Sequence, residues 1–223
     1  MSELVGILGG MGPHATVAFQ QHILDRTKTV HDNEHIRFIL DMQTKIPSRT
    51  RALLFNETSP LEGMVESCEK LAAYGVDFIV LPCNSACHWM EPLRERVAVE
   101  IVSIVEVTAA EIHRRGYKKV CPWGGYVTYT QALYQKALQP YGVEVKPLPE
   151  SSQRKLEELI LEVKRTFDTF DWEKFNPLRE CYPDDVVPVY ACTELTGFST
   201  TGIDSSLVLA DYVINRVGGV LWP

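Results

Sequence analysis

Asp77-Phe-Ile-Val-Leu-Pro-Cys83-Asn84-Ser85-Ala86 decides how this chain is read, because Asp185-Val-Val-Pro-Val-Tyr-Ala-Cys192-Thr193-Glu194 repeats its pattern about half a chain later. Each stretch is an acidic residue, a short apolar run, and a cysteine followed by two small or hydrogen-bonding residues. An apolar run of this length between polar punctuation predicts a strand buried on both faces, as in a parallel sheet. Ligands of such sheets bind beyond the carboxyl ends of the strands, which is where both cysteines fall.

Outward from these strands the chain alternates. Leu4 to Leu8 is an apolar run ending in Gly9-Gly-Met11-Gly-Pro13, and Ala15 to Leu24 has apolar residues at helical spacing. Gly10-x-Gly12-x-x-Ala15 meets a loose dinucleotide fingerprint, and a glycine turn before a helix suits an anion. A tight strand-to-helix turn also needs glycine on geometric grounds alone. Arg37 to Asp41 predicts a second strand, and residues 42–50 a loop at the same end of the sheet. Arg49 in that loop can grip a carboxylate bidentately, although a solvated surface arginine is the plainer reading of its position. Pro60 to Gly75 predicts a helix with Cys68 on its buried face, then come the strand to Cys83, a helix over 88–97, a strand over 100–105 and a helix over 106–115.

The pattern restarts at Lys118-Lys-Val-Cys-Pro-Trp-Gly124-Gly125, which echoes the first strand and its glycine pair. A helix over 130–141, a short strand from Val143 and an amphipathic helix over Ser151–Phe167 follow. Lys164 lies beside the apolar stripe of that last helix, near its C-terminus, where a cation is favoured in any case. Residues 167–184 form a long mixed connection, and Gly202-Ile-Asp204-Ser205-Ser206 signals the start of a helix over Leu207–Arg216. The alternation and the loose internal echo predict an α/β protein: two pseudo-symmetric three-layer domains with mainly parallel sheets and a cleft between them. The first domain takes residues 1–100 plus 207–223 and the second 101–206. Cys83 and Cys192 then stand on opposite walls.

The 223 residues are 45% hydrophobic and 23% charged, ordinary for a globular protein with ample core. A formal net charge of −7 argues against a nucleic-acid partner, which requires a basic surface. No apolar run approaches the roughly 20 residues of a membrane span, and Met1-Ser2-Glu3 lacks the basic start of a signal peptide, so a cytoplasmic protein without membrane contact is expected. Six scattered cysteines without a Cys-x-x-Cys pair read as free thiols. Cys83, Cys87 and His88 lack a paired second half of a metal site, and no metal is expected.

Two facing thiols permit a specific chemistry. One thiolate removes a proton from a stereocentre, the opposite thiol returns one to the other face, and the configuration inverts without a cofactor. A thiolate needs backbone N–H groups or cations nearby, and the carbanion needs donors around its carboxylate. Asn84, Ser85 and Thr193 stand where they can supply such donors. A buried structural thiol is the plain reading of any one cysteine, and it weakens where two sit at matching strand ends before polar residues.

At these residues the chain resembles the aspartate/glutamate racemase superfamily, and most closely its aspartate racemase branch, nearly end to end. Gly9-Gly-Met11-Gly-Pro13 is similar to that branch's opening motif, Ile46-Pro-Ser-Arg49-Thr to its substrate arginine loop, and Pro82-Cys83-Asn84-Ser85-Ala86 and Cys192-Thr193-Glu194 to its two cysteine motifs. Ala132-Leu-Tyr134 resembles a helix opening the second domain, and Ile203-Asp204-Ser-Ser the closing segment. The resemblance implies a homodimeric racemase that uses no pyridoxal phosphate and takes an acidic amino acid, aspartate first and glutamate second. It implies that Cys83 and Cys192 are the acid/base thiols, and that Met11, Arg49, Asn84, Ser85, Lys164, Thr193 and Glu194 bind substrate, with Arg49 and Lys164 on the distal carboxylate. The chain departs from the family pattern at Cys87 (usually histidine), Ala191 (usually glycine) and Gly125 (usually threonine). An isomerase of another small dicarboxylate, a non-catalytic binder of acidic amino acids and a dinucleotide-dependent oxidoreductase are the alternatives.

Overall fold

A computed structural model describes residues 3–166, 169–198 and 201–222; Met1, Ser2, Phe167 and Pro223, which the sequence reading touches, lie outside the described residues. The first half runs β1 (Val5–Gly9), α1 (Pro13–Arg26), β2 (Phe38–Met42), α2 (Arg49–Leu54), α3 (Leu61–Ala73), β3 (Phe78–Leu81), α4 (Met90–Arg96), β4 (Glu100–Ser103) and α5 (Ile104–Arg114). The second runs β5 (Lys119–Trp123), α6 (Tyr126–Thr130), α7 (Leu133–Leu138), β6 (Glu144–Val145), α8 (Glu150–Thr166), α9 (Asn176–Arg179), β7 (Val187–Tyr190), β8 (Ile203–Asp204) and α10 (Ser205–Arg216). All strand pairs within these sheets are parallel, and the orders β2-β1-β3-β4 and β6-β5-β7-β8 match position for position. The two cysteines therefore follow equivalent strands, β3 and β7, each next to the first strand of its half.

Several local expectations change. Arg49 is not in a loop: Ser48 follows Pro47 and its side chain accepts the backbone N–H of Arg51, capping α2 at Arg49. Residues 101–103, expected in the second domain, are part of β4 and pair with β3 in the first sheet. A helix expected over 130–141 is broken, because Ala132 takes a left-handed φ of 51° between α6 and α7. Ser103 and Asp204 cap α5 and α10, so both helices start two residues earlier than the periodicity suggested.

The apolar residues form three clusters. One passes through both halves, joining Val5, Ile7 and Phe19 to Val120, Tyr134 and Val189. α10 is the reason: it follows the last strand of the second sheet yet packs on α1 and α5. The other two clusters are outer cores, Met64, Cys68 and Leu71 under α3, and Trp123, Leu159 and Phe175 under α8. Each such buried side chain contributes about 1.5–3 kcal/mol, so the shared central cluster holds the halves in one arrangement.

Candidate active site

Cys83 and Cys192 are built the same way. Each leaves its strand extended (φ −152° and −140°) and is followed at once by a 3₁₀ turn, Asn84–Trp89 and Thr193–Leu195. The turns carry the thiols into one cleft between the halves, which Met11, Arg49, Asn84, Ser85, Lys164, Thr193 and Glu194 also line. All nine side chains singled out from the sequence thus converge. The enclosed volume is about 40 Å³, far below the roughly 300–1,000 Å³ of small-ligand pockets, so the cleft is shut in this conformation. A larger open concavity of about 1130 Å³ lies on the outer edge beside β4, α5 and α10. It holds no thiol and is not where this chemistry sits.

On the first wall, Arg49 Nη1 donates to the Pro47 carbonyl at 3.1 Å and Nη2 to the Met11 carbonyl at 3.1 Å. Its Nε–H is buried without a partner. An unpaired donor of this kind costs about 1–3 kcal/mol unless a ligand completes it, and a guanidinium edge fits a carboxylate. Met11 itself is buried and offers its carbonyl to the arginine rather than a side-chain contact. Cys83 Sγ lies 3.4 Å from Ser85 Oγ. Behind it, Cys87 approaches the Cys83 carbonyl at 3.8 Å and takes a hydrogen bond from Ser103 Oγ at 3.3 Å. Burial pushes the Cys87 thiol up to about 11.

The second wall is charged. The Cys192 thiol donates to Glu194 Oε2 at 3.0 Å, and Lys164 Nζ lies 3.4 Å from Oε1. Burial pushes the Cys192 thiol well up, the Glu194 carboxylate adds to this, and Lys164 opposes it. Desolvation pulls Lys164 down most strongly of any single influence, but Glu194, Cys192 and Cys83 together outweigh it, so its ammonium is held raised. A Cβ on Gly12 would meet Glu194 Oε1 at 2.8 Å. The glycine turn therefore does face an anion, but the anion is a side chain of this chain, standing where a dinucleotide phosphate would have to go.

Asn84 and Thr193 are committed largely to holding the walls together. Tyr134 Oη donates to Asn84 Oδ1 at 2.8 Å, Asn84 Nδ2 donates to Ser205 Oγ at 3.0 Å, and Ser205 Oγ donates to the Tyr190 carbonyl at 2.8 Å. Thr193 Oγ1 donates to the Pro82 carbonyl at 3.2 Å. The residue after each cysteine is thus tied to the strand end that presents the other. The sequence reading missed the role of Tyr134, quoted there only within a helix motif, because its partner lies 50 residues away. It also missed Glu157, which lines the cleft from α8. The signal was available: 157, 160 and 164 share one helical face.

Among the described residues no three His, Cys, Asp or Glu side chains are placed to hold a metal, and no helix is long and apolar enough to cross a membrane. What the geometry offers chemically is acid–base work by two thiols beside an arginine whose Nε–H has no partner.

Known proteins resemble this chain over most of its length. The chain is 26% identical to the aspartate racemase of Picrophilus torridus, covering 99% of this chain and 96% of that one with a TM-score of 0.90. An aspartate racemase homologue from Pyrococcus horikoshii OT3 shares the fold, with a TM-score of 0.69 at 20% identity over 97% of this chain and 99% of that one. Over 146 residues, 64% of this chain, it is 32% identical to the broad specificity amino-acid racemase RacX of Bacillus subtilis (strain 168), spanning about 63% of that relative's length. The profile of the Asp/Glu/hydantoin racemase family matches residues 8–205. With both cysteine strands inside that range, the chain belongs to the Asp/Glu/hydantoin racemase family.

Proposed function

We propose that this protein is an amino-acid racemase that interconverts the enantiomers of aspartate, and secondarily glutamate, by two-thiol acid–base catalysis without pyridoxal phosphate. The observation that carries the reading is the convergence of Cys83 and Cys192 from equivalent strand ends onto one cleft that is also lined by Arg49, whose Nε–H is unpaired. One thiolate takes the α-proton, the electron pair delocalises into the α-carboxylate, and the opposite thiol delivers its proton to the other face. Both thiols exchange their roles when the opposite enantiomer is consumed. The resting state is asymmetric, because Cys192 is held as a thiol by burial and Glu194, which suits it as the proton donor. Glu194 then acts on Cys192, and Arg49 with Lys164 holds the distal carboxylate. The aspartate racemase of Picrophilus torridus supports the substrate choice. The broad specificity of the Bacillus subtilis relative supports a wider range of amino acids as the second reading.

The test is incubation of L- and, separately, D-aspartate in D₂O with reduced protein free of metal and pyridoxal phosphate. Loss of the α-proton signal with appearance of the other enantiomer is expected. Cys83→Ala and Cys192→Ala should each abolish inversion, a loss of at least about 10³-fold. Exchange absent from aspartate, glutamate and a panel of neutral and basic amino acids would sink the racemase reading and favour a binding protein. The homodimer implied by the resemblance is likewise a proposal, checked by light scattering on the purified protein.

A further inference from the structure

We propose that Glu157 is the acceptor for the substrate's ammonium group, and that it fixes which way round an amino acid lies in the cleft. The inference rests on the amino-acid reading of this cleft. Glu157 and Lys164 lie on the same face of α8, with Ile160 between them, all three lining the cleft. Seven residues separate the two charges by about 10 Å along the helix axis. The face of α8 thus presents a carboxylate at one end and an ammonium at the other, the reverse polarity of an amino acid bound along it.

The other acidic group in the cleft is already occupied. Glu194 accepts the Cys192 thiol on one oxygen and faces Lys164 with the other. Glu157 accepts the backbone N–H of Tyr126 at 2.8 Å through Oε2, and Oε1 takes no hydrogen bond from the described residues. That single bond holds the carboxylate in place and leaves one oxygen to receive a donor. Gly125 makes the room: a Cβ there would meet Glu157 Oε2 at 2.9 Å. The same bond blocks the Tyr126 N–H as a site for a substrate carboxylate, so the carboxylates are directed toward Arg49 and Lys164. With two carboxylates against Arg49 and Lys164, the lining is formally neutral while both thiols are protonated, which favours a ligand carrying its own positive charge over a bare dicarboxylate.

The experiment compares ligands that differ only in the amino group. DL-aspartate, used as the racemate so that turnover produces no net change, and succinate are titrated calorimetrically into wild-type protein and Glu157→Gln. Gln retains an oxygen for the Tyr126 N–H, and thermal unfolding checks that the fold is kept. Wild-type protein should prefer aspartate; Glu157→Gln should weaken aspartate roughly tenfold or more while succinate binds equally or more tightly. Glu157→Asp should restore part of the preference. Equal weakening of both ligands would mean that Glu157 is only structural, and no change in either would also overturn the proposal. If wild-type protein binds neither ligand, the same comparison with alanine and propionate, then glutamate and glutarate, decides. Binding of amino acids that is indifferent to Glu157 refutes this proposal alone, whereas binding of no amino acid refutes the amino-acid reading of the cleft as well.

Discussion

The two cysteine loops share a backbone and differ in charge. β3 and β7 occupy the same place in sheets of the same order, and each ends in an extended cysteine and a 3₁₀ turn. Two residues after the cysteine the likeness ends: Ser85 offers Cys83 a hydroxyl, and Glu194 offers Cys192 a carboxylate. The glycine turns repeat the lesson. In both, a glycine packs against a threonine of the next helix, Gly9 against Thr16 and Gly124 against Thr128. Yet the first turn faces Arg49 through the Met11 carbonyl, and the second is held by Glu157. A pseudo-symmetric fold brings two thiols to equivalent strand ends, and unsymmetric side chains give each thiol a different partner.

The sharpest way to break this comparison is to remove the cation of the first wall. Arg49→Ala should lower kcat/KM for aspartate about 10–100-fold, since a charge-assisted pair to a carboxylate contributes about 1.5–3 kcal/mol. Arg49→Lys should recover only part, because an ammonium cannot reproduce the planar fork. A loss of less than twofold would remove Arg49 from the carboxylate site.

The second prediction tests the asymmetry of the thiols directly. Glu194 raises the Cys192 thiol and Lys164 lowers it, so removing each should move Cys192 in opposite directions. At pH 8, Glu194→Gln should speed alkylation of Cys192 by iodoacetamide about tenfold, the effect of roughly one pKa unit. Lys164→Met should slow it, and Cys83 should be indifferent to the first change. Peptide mass spectrometry reads both sites in one sample. Equal acceleration at both cysteines would mean that Glu194→Gln loosens the cleft in general.

Legibility divides along the same line. The strands other than β8, which read only as a helix-start signal, and the glycine turns, helix faces and cysteine positions were readable because each depends on neighbours a few residues away. Arg49 and Lys164 are different: by position alone they read as a surface residue and a helix-end cation. Only the resemblance, and then the fold, brought them to the cleft. Glu157 was missed because a carboxylate on an amphipathic helix is ordinarily solvated, and a face shared with Ile160 and Lys164 does not by itself show that this one turns toward Gly125.

A third prediction concerns the bonds that tie the loops together. Tyr134→Phe leaves Asn84 Oδ1 buried without its donor, at a cost of about 1–3 kcal/mol. For a chain of this size that lowers Tm by about 2–12 °C in differential scanning calorimetry. An unchanged Tm would show that the bond is not holding the two halves. The smallest expected effect is at Cys87, where the family usually has histidine. A hydroxyl can take over the hydrogen bonds of the thiol to the Cys83 carbonyl and Ser103. Cys87→Ser should therefore cost less than about 2 kcal/mol in denaturant unfolding and change kcat/KM less than about threefold. A larger kinetic loss would make Cys87 a third working thiol.

The sequence by itself determined that this is an α/β chain with two cysteine strands at matching places, because apolar runs, turn residues and caps act over short stretches. Only the tertiary structure decided that Cys192 is held by Glu194 and Lys164, that Asn84 is tied to Tyr134 and Ser205, and that Glu157 enters the cleft. Those contacts join residues 28 to 121 positions apart, except for the Cys192–Glu194 pair two positions apart, and even there burial is the first cause of the raised thiol. α10 folds back on α1 and α5; the sequence reading put 207–223 with the first domain, but the side-chain contacts made across the halves were not visible in any local pattern.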